Sequence, residues 1–245
     1  MLGLGTGIVK SNLYESQYLA AVFDGTDDFI TVPDNDALSF TTSTGFGISM
    51  WLNLTPDPGV ILYHGILVKG QEYKFHVTAS GSAVFVCVDD SNKTKTRRVT
   101  NTDTFPFSEW VHVVAEYRTN EVATIHINGI AVSGTNTIDS DFEDMENIDA
   151  DLIIGVSTAS ISGETSDGPA RFTNGAITNL NIYQGNLSST ERNNVYNAAP
   201  SGNFNGLVDN TIIASYLLTS DLNDSSGNGH NGSSASGQSP TFIIV

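Results

Sequence analysis

Apolar and polar residues alternate with a period of two along much of the chain. The pattern is clearest at residues 46–54, where every second residue is large and apolar. This period is typical of a strand with one buried face. Similar runs predict further strands at residues 66–70, 73–77, 83–88, 110–117, 123–127, 152–155 and 176–183. Asn128-Gly129 favours a tight hairpin because both residues accept positive φ. The chain is therefore predicted to be all-β, with antiparallel strands in a two-sheet sandwich.

A short acidic bend separates the first two apolar runs, which end at Phe23 and resume at Phe29. The bend contains Asp24, Asp27 and Asp28, and such crowding is unfavourable unless the carboxylates point into water, cap backbone N–H groups or share a cation. Two interpretations stay open. The acids are solvated turn residues, or Asp24 and Asp27 bind a structural Ca²⁺ together with Asp224 from the other end of the chain.

One short helix is predicted at residues 189–197, because Ser188-Ser189-Thr190-Glu191 has the spacing of a capping box and Pro200 follows. The chain then divides into an N-terminal arm at residues 1–18, a sandwich domain at 19–199 and a C-terminal extension at 200–245. The extension ends in an apolar β-branched run, which would be an aggregation-prone edge if unpaired. We expect it to pair with the sandwich or to exchange with a neighbouring subunit.

Three aromatic residues are candidates for stacking on sugar rings: Trp51, Tyr63 and Tyr73. Trp51 alternates with the aliphatic row of its strand and so points away from the core. It is either a sugar-binding ring on an open sheet face or a ring packed beneath a covering segment, since tryptophans are mostly buried.

Composition narrows the classes of partner. The 27 acidic and 10 basic residues give a net charge of −17, which repels phosphate backbones and anionic lipid. Nucleic acid and membrane partners are therefore not expected, and no apolar run is long enough to span a bilayer. The single Cys87 excludes an internal disulfide, and the first ten residues lack the features of a signal peptide. We expect synthesis and assembly in a reducing cytoplasm.

Short motifs in a characteristic order carry a resemblance to a known family. They are Phe23-Asp24-Gly25 to Pro33, Ile48-Ser49-Met50-Trp51, Leu67-Val68-Lys69-Gly70, Trp110-Val111-His112-Val113, Ile127-Asn128-Gly129, Ile153-Ile154-Gly155 and Gly175-Ala176-Ile177 to Tyr183. Over about residues 19–198 the chain resembles the laminin-G-like, concanavalin-A-like lectin and glucanase family. The resemblance implies a jelly-roll sandwich, and members often hold Ca²⁺ at its rim.

The chain departs from the family pattern in two places. Thr178 and Asn179 stand where an aspartate pair often follows the last strand motif. The segment 224–232 looks like the one that usually precedes the Phe-Asp-Gly opening, yet here it lies near the C-terminus, as if the strand order were permuted.

Catalysis is not predicted. Glucanase relatives carry Glu-x-Asp-x-x-Glu on one strand, and the nearest approach here, Glu143-Asp144-Met145-Glu146, lies in a polar loop. The five histidines show no paired metal-ligand spacing, and no phosphate loop or nucleophile elbow appears.

Two functions fit these features of the sequence, and a glycan hydrolase is a distant third. The first is a non-enzymatic bacteriophage virion protein, a capsid decoration, fibre or attachment component that contacts other virion proteins, forms a homo-oligomer and binds host glycan. The alternative is a stand-alone carbohydrate-binding module or adhesin. The fold alone does not decide between them.

Overall fold

The computed structural model describes residues 18–41, 43–56, 63–89, 95–101, 105–117, 123–138, 142–145, 147–157, 171–202 and 204–245. These residues form a β-sandwich with a single short α-helix, which confirms the predicted fold class. The predicted arm at 1–18 lies outside the described residues except for Tyr18.

The strands follow the predicted alternation closely. Their bounds are β1 (Leu19–Asp24), β2 (Ile30–Val32), β3 (Phe46–Leu54), β4 (Tyr63–Lys69), β5 (Tyr73–Thr78), β6 (Ala83–Asp89), β7 (Lys95–Asn101), β8 (Val111–Tyr117), β9 (Thr124–Ile127), β10 (Ile130–Ala131), β11 (Gly134–Ile138), β12 (Leu152–Ile154), β13 (Val156–Ser157), β14 (Arg171–Phe172), β15 (Asn174–Gln184), β16 (Ile212–Tyr216) and β17 (Thr241–Ile244), with α1 at Ser189–Asn197.

The strands form two large sheets and one small ribbon. Sheet I has the order β10-β9-β8-β3-β15-β1-β17, and β16 pairs with the second half of β15. Sheet II has the order β11-β7-β6-β5-β4-β12-β2, and β13 pairs with β14 in a separate ribbon. Every strand pair among the described residues is antiparallel, as the hairpin-rich sequence predicts.

The main hydrophobic core lies between sheets I and II. The large apolar residues of β3 face it, and they meet Phe75 and Phe85 of sheet II. Phe46 stacks on Phe40 with ring centroids 4.4 Å apart. Because successive strand residues point to opposite faces, the residues between them lie on the outer faces of the sandwich.

The outer face of sheet I is covered by α1. Its capping box forms as predicted, with the Ser188 hydroxyl accepting from the Glu191 N–H and the Glu191 carboxylate accepting from the Ser188 N–H. Arg192 of α1 reaches down to the buried Glu116 of β8, with Nη1 3.2 Å from Oε2. The helix is thus fixed to the sheet by a charged contact as well as by a small apolar cluster around Val195.

The acidic bend after β1 carries the chain from one sheet to the other. β1 pairs with β15 in sheet I, whereas β2 pairs with β12 in sheet II. The first two apolar runs are therefore strands as predicted, and the bend between them lies at the rim of the sandwich.

Residues 200–245 contribute strands to the sandwich of the same chain. β17 pairs with β1, so it lies at the end of sheet I within the described residues. Tyr18 and Val245 exchange backbone hydrogen bonds of 3.0 and 2.9 Å beside this pair. Ser233 pairs with Thr31 of β2 by two backbone hydrogen bonds of 2.8 Å, which ties the C-terminal segment to sheet II as well.

Candidate ligand-binding site

Trp51 lies on the outer face of sheet I, as its alternation predicts, but α1 covers it. Its ring is 6% exposed and stacks on Tyr196 of the helix, with centroids 5.8 Å apart and planes inclined by 17°. The expectation that Trp51 offers a ring to a sugar is therefore corrected, and its alternative interpretation, a ring beneath a covering segment, describes the structure.

Tyr73 is also unavailable to a ligand. Its side chain is fully buried among Phe40 and Phe46, and its hydroxyl donates to the Leu38 carbonyl at 2.9 Å. Burial raises the pKa of this phenol well above its usual value, with the neighbouring Glu72 acting in the same direction. Tyr73 is a core residue, which corrects the second expectation.

Tyr63 is the predicted aromatic residue that remains partly exposed. It begins β4. The β4–β5 register places Tyr63 and His76 on the outer face of sheet II, whereas Val77 between them in register points to the core. Its ring centroid is 4.5 Å from that of His76, and the guanidinium carbon of Arg171 lies 5.9 Å from it. A phenol ring thus stands beside a cation on an outer sheet face.

The β13–β14 ribbon positions Arg171 at this place. The ribbon lies directly on β4 at Gly65, where a Cβ atom would be 2.2 Å from the Ser157 nitrogen and 2.5 Å from the Arg171 carbonyl oxygen. The Thr173 hydroxyl donates to the Gly65 carbonyl at 2.7 Å and locks the two layers together. Only glycine at position 65 allows this close approach of the ribbon.

Two polar groups of the ribbon have no hydrogen-bond partner among the described residues. They are the Nε of Arg171 and the hydroxyl of Ser157, whose residue is 3% exposed. Ser157 and Arg171 are directly paired in the ribbon, so their side chains lie on the same face of it. Sequence reasoning missed both residues, because segment 156–171 has the Gly, Ser and Thr content of a loop and gives no strand signal.

The acidic bend brings three carboxylates together at the rim of the sandwich. Oxygens of Asp24, Asp27 and Asp28 lie within 4.8 Å of one another. Asp24 Oδ1 accepts from the N–H groups of Thr26 and Asp27, and Asp28 Oδ2 accepts from the Asp24 N–H at 3.0 Å. Burial raises the pKa of Asp28, and the charges of Asp24 and Asp27 also raise it, against that hydrogen bond.

Asp224, the third predicted metal ligand, is engaged elsewhere. Its carboxylate accepts from the backbone N–H groups of Ser215, Ser226 and His230, at 2.9, 2.9 and 3.0 Å, and from the Ser226 hydroxyl. Burial acts to raise its pKa, but these hydrogen bonds outweigh burial and the pKa lies below its usual value. Asp224 organises the C-terminal turn, whereas Asp28 is the third carboxylate close to Asp24 and Asp27.

A family model described as the concanavalin A-like lectin/glucanases superfamily matches residues 24–191, well over half of the chain. The chain belongs to this superfamily. A search of curated proteins found no match to its sequence.

Solved structures share the superfamily fold at low sequence identity. A "putative carbohydrate binding protein" from Bacteroides ovatus is 13% identical with a TM-score of 0.58, over 94% of this chain and 60% of that one. The binding domain of botulinum neurotoxin serotype G is 12% identical with a TM-score of 0.53, over 78% and 49%. The serotype D ligand binding domain in complex with N-acetylneuraminic acid is 16% identical with a TM-score of 0.50, over 76% and 47%. The chain thus spans 60% or less of each, and the likeness shows the fold alone.

The superfamily name includes glucanases, so the positions of the carboxylates in this domain are relevant to whether it can hydrolyse a glycan. Glycoside hydrolysis needs two carboxyl groups that face each other across the sugar bond. Glu72 and Glu116 are buried and paired with Lys69 and Arg192. Glu143 and Asp144 are exposed, and Glu146 lies outside the described residues. Glu72 and Glu116 are therefore not accessible to a saccharide.

A serine–histidine pair in the domain is closed off in the same way. The Ser49 hydroxyl lies 3.0 Å from Nε2 of His112, but both residues are 1% exposed on the helix-covered face of sheet I. Burial lowers the pKa of His112 to about 3, and the nearby His126 adds to this effect. The pair is a buried structural contact that no substrate reaches.

The described residues contain no helix that is both long enough and apolar enough to cross a bilayer.

Proposed function

We propose that this domain recognises glycans without catalysing a reaction, and that it binds sugar on the outer face of sheet II. The observation that carries the proposal is the partly exposed residue Tyr63, whose ring is flanked by the ring of His76 and by the guanidinium of Arg171. Sugar sites combine an aromatic face with a few fixed polar groups. The described structure offers this combination at Tyr63 after α1 has covered Trp51 and the core has enclosed Tyr73.

The fold neighbours support the same class of function. They include a protein described as carbohydrate binding and two neurotoxin binding domains, one of them in complex with N-acetylneuraminic acid. The buried state of Glu72, Glu116 and the Ser49–His112 pair supports a binding role over a hydrolytic one.

A glycan array followed by titration calorimetry tests the proposal. We expect binding at about millimolar affinity or tighter, equivalent to about −4 kcal/mol or more. Y63A removes the ring and is expected to weaken binding by at least about tenfold, or about 1.4 kcal/mol. Y63F retains the ring and serves as the matched control with near wild-type affinity. An array without any binding, or equal loss in Y63A and Y63F, contradicts the proposal.

We further propose that the domain is displayed on a bacteriophage particle, as a decoration, fibre or attachment component made in the host cytoplasm. The specific support is the end of sheet I at β17, where Leu19, Ile243 and Ile244 are 48%, 48% and 60% exposed. Among the described residues β17 is an edge strand, and an open, partly apolar edge strand invites pairing with another chain. A cavity of about 510 Å³ beside it is lined by Leu19, Ile244, Leu217 and Pro200.

Two measurements test this location. Mass spectrometry of purified particles is expected to find the chain at a stoichiometry typical of virion proteins, and light scattering to find a homo-oligomer. I243K places a charge on the edge strand β17. It is expected to abolish both incorporation into particles and homo-oligomer formation, while glycan affinity is retained. A chain that is absent from particles and monomeric in solution favours the stand-alone module or adhesin.

Calcium at the acidic bend is part of the same proposal. Asp24, Asp27 and Asp28 supply the hard oxygen ligands that Ca²⁺ prefers. The melting temperature is expected to rise when Ca²⁺ is added and to return to its starting value on chelation, since a ligand that binds only the folded state stabilises it. D27N is expected to remove the shift. D221N changes an exposed aspartate outside the bend and is the matched control. An unchanged melting temperature with saturating Ca²⁺ excludes the site.

A further inference from the structure

We propose that the glycan bound at Tyr63 carries a carboxylate, and that Arg171 and Ser157 bind this group. The inference rests on the proposed function, because it names the chemical class of ligand for the same site. It follows from three separate features: an arginine that has no acidic partner among the described residues, a buried hydroxyl that has no hydrogen bond there, and the distribution of charge on the strands around them.

Arg171 is unusual in a chain with 27 acidic and 10 basic residues. Lys69 and Arg192 each form an ion pair with a carboxylate. Arg171 forms no ion pair with any described residue, its Nε has no hydrogen-bond partner there, and its guanidinium lies over the ring of Tyr63. A guanidinium matches the geometry of a carboxylate through two parallel hydrogen bonds and also stacks on aromatic rings.

Ser157 supplies a second group on the same side of the ribbon. Its residue is 3% exposed, and its hydroxyl has no partner in the described structure. Buried polar groups in native proteins are almost always paired, so an unpaired hydroxyl indicates a missing partner. Antiparallel pairing holds Ser157 and Arg171 directly opposite each other, with side chains on one face. An oxygen of a carboxylate held by Arg171 is well suited to accept from this hydroxyl.

The strands around the site are basic, against the charge of the whole chain. β4, β5, β6, β7, β13 and β14 contain one acidic residue, Asp89. The same strands contain six of the ten lysines and arginines: Lys69, Lys74, Lys95, Arg97, Arg98 and Arg171. Lys69 is buried and paired with Asp34 and Glu72, so the other five carry the excess. Such a local excess of positive charge favours an anionic ligand over a neutral one.

Calorimetric titration of the full chain with sialyllactose and with its methyl ester tests the inference. The ester removes the negative charge and leaves the sugar rings unchanged. Wild type is expected to bind the acid at least about tenfold more tightly than the ester. R171Q is expected to abolish this difference, and R171K to retain only part of it because lysine lacks the fork geometry. K10Q removes one positive charge elsewhere in the sequence and is the charge-matched control, with the full preference retained.

S157A separates a ligand contact from a structural one. Removal of an unpaired buried hydroxyl is expected to leave the melting temperature unchanged or higher. Weaker binding of the acid with unchanged binding of the ester supports the contact. Binding of lactose or other neutral glycans as tightly as sialylated and uronic ones overturns the inference and leaves the proposed function intact. Absence of binding to every glycan overturns the proposed function itself.

Discussion

Replacement of Lys69 is expected to destabilise the fold strongly. Lys69 is fully buried, and its ammonium group donates to Asp34 Oδ1 at 2.7 Å, Glu72 Oε1 at 2.8 Å and the Ala150 carbonyl at 2.9 Å. Glu72 is fully buried too. K69M keeps most of the side-chain volume but leaves the Glu72 carboxylate in the interior without its cation.

The cost is dominated by that uncompensated charge. Breaking a buried ion pair by removing one partner costs about 3–5 kcal/mol. Asp34 has a side chain that is 26% exposed and adds little, because water solvates it once it is released. We therefore expect a loss of about 4 kcal/mol of unfolding free energy. For a chain of this size the melting temperature should fall by roughly 8–16 °C.

The pH dependence of the loss gives a sharper test. Burial raises the pKa of Glu72, against the hydrogen bond and charge of Lys69, and K69M removes these opposing contributions. A carboxyl whose folded pKa lies above the unfolded one favours folding at low pH and loses this contribution as pH rises. The deficit of K69M should therefore shrink from pH 7 to pH 5.

Urea unfolding of wild type, K69M and the double variant K69M/E72M at both pH values is the measurement. The double variant removes the buried charge altogether and should recover most of the lost free energy, since apolar replacement of a whole buried pair is often nearly neutral. A K69M protein within about 1 kcal/mol of wild type refutes the reasoning, since an unpaired buried charge costs more than this. So does a double variant that is no more stable than K69M.

Three further predictions follow from contacts described above. G65A forces a Cβ atom against the backbone of the β13–β14 ribbon and should cost about 1–3 kcal/mol in urea unfolding, together with weaker glycan binding. Burial lowers the pKa of His112 to about 3 and that of His126 to about 4, so their contribution is complete above pH 6.5 and falls on acidification. For His112 the loss should reach about 2 kcal/mol at pH 5, and H112Q should flatten that part of the profile of unfolding free energy against pH. D224A leaves the N–H groups of the C-terminal turn unpaired and should cost about 2–4 kcal/mol by the same assay, with D221A as an exposed control.

Much of the fold was predictable because its signals are local. The alternation at residues 46–54 became β3, and the capping box became the start of α1. Asn128 and Gly129 adopt φ of 51° and 77° between β9 and β10, as the hairpin prediction requires. Each of these features depends on residues that are close in sequence.

The site was less predictable because it depends on contacts between distant segments. Trp51 has the alternation of an outward residue, and nothing near it in sequence shows that Tyr196 will cover it. Arg171 reaches Tyr63 only because a short ribbon, in which Ser157 pairs with Arg171, lies on the glycine of another strand. A two-residue strand is too short to produce a period, so the sequence predicts a loop there.

The meeting of Tyr18 and Val245 at the end of sheet I has a consequence for how the domain is attached to anything else. Polypeptide attached before Tyr18 and after Val245 would therefore start from neighbouring positions at the edge of sheet I. Such a layout suits insertion into a surface loop of a carrier protein, and a short linker between the two residues should permit circular permutation with new ends opened elsewhere. A carrier attached in this way holds the sandwich by the margin of one sheet and leaves the outer surface of the other open to ligands.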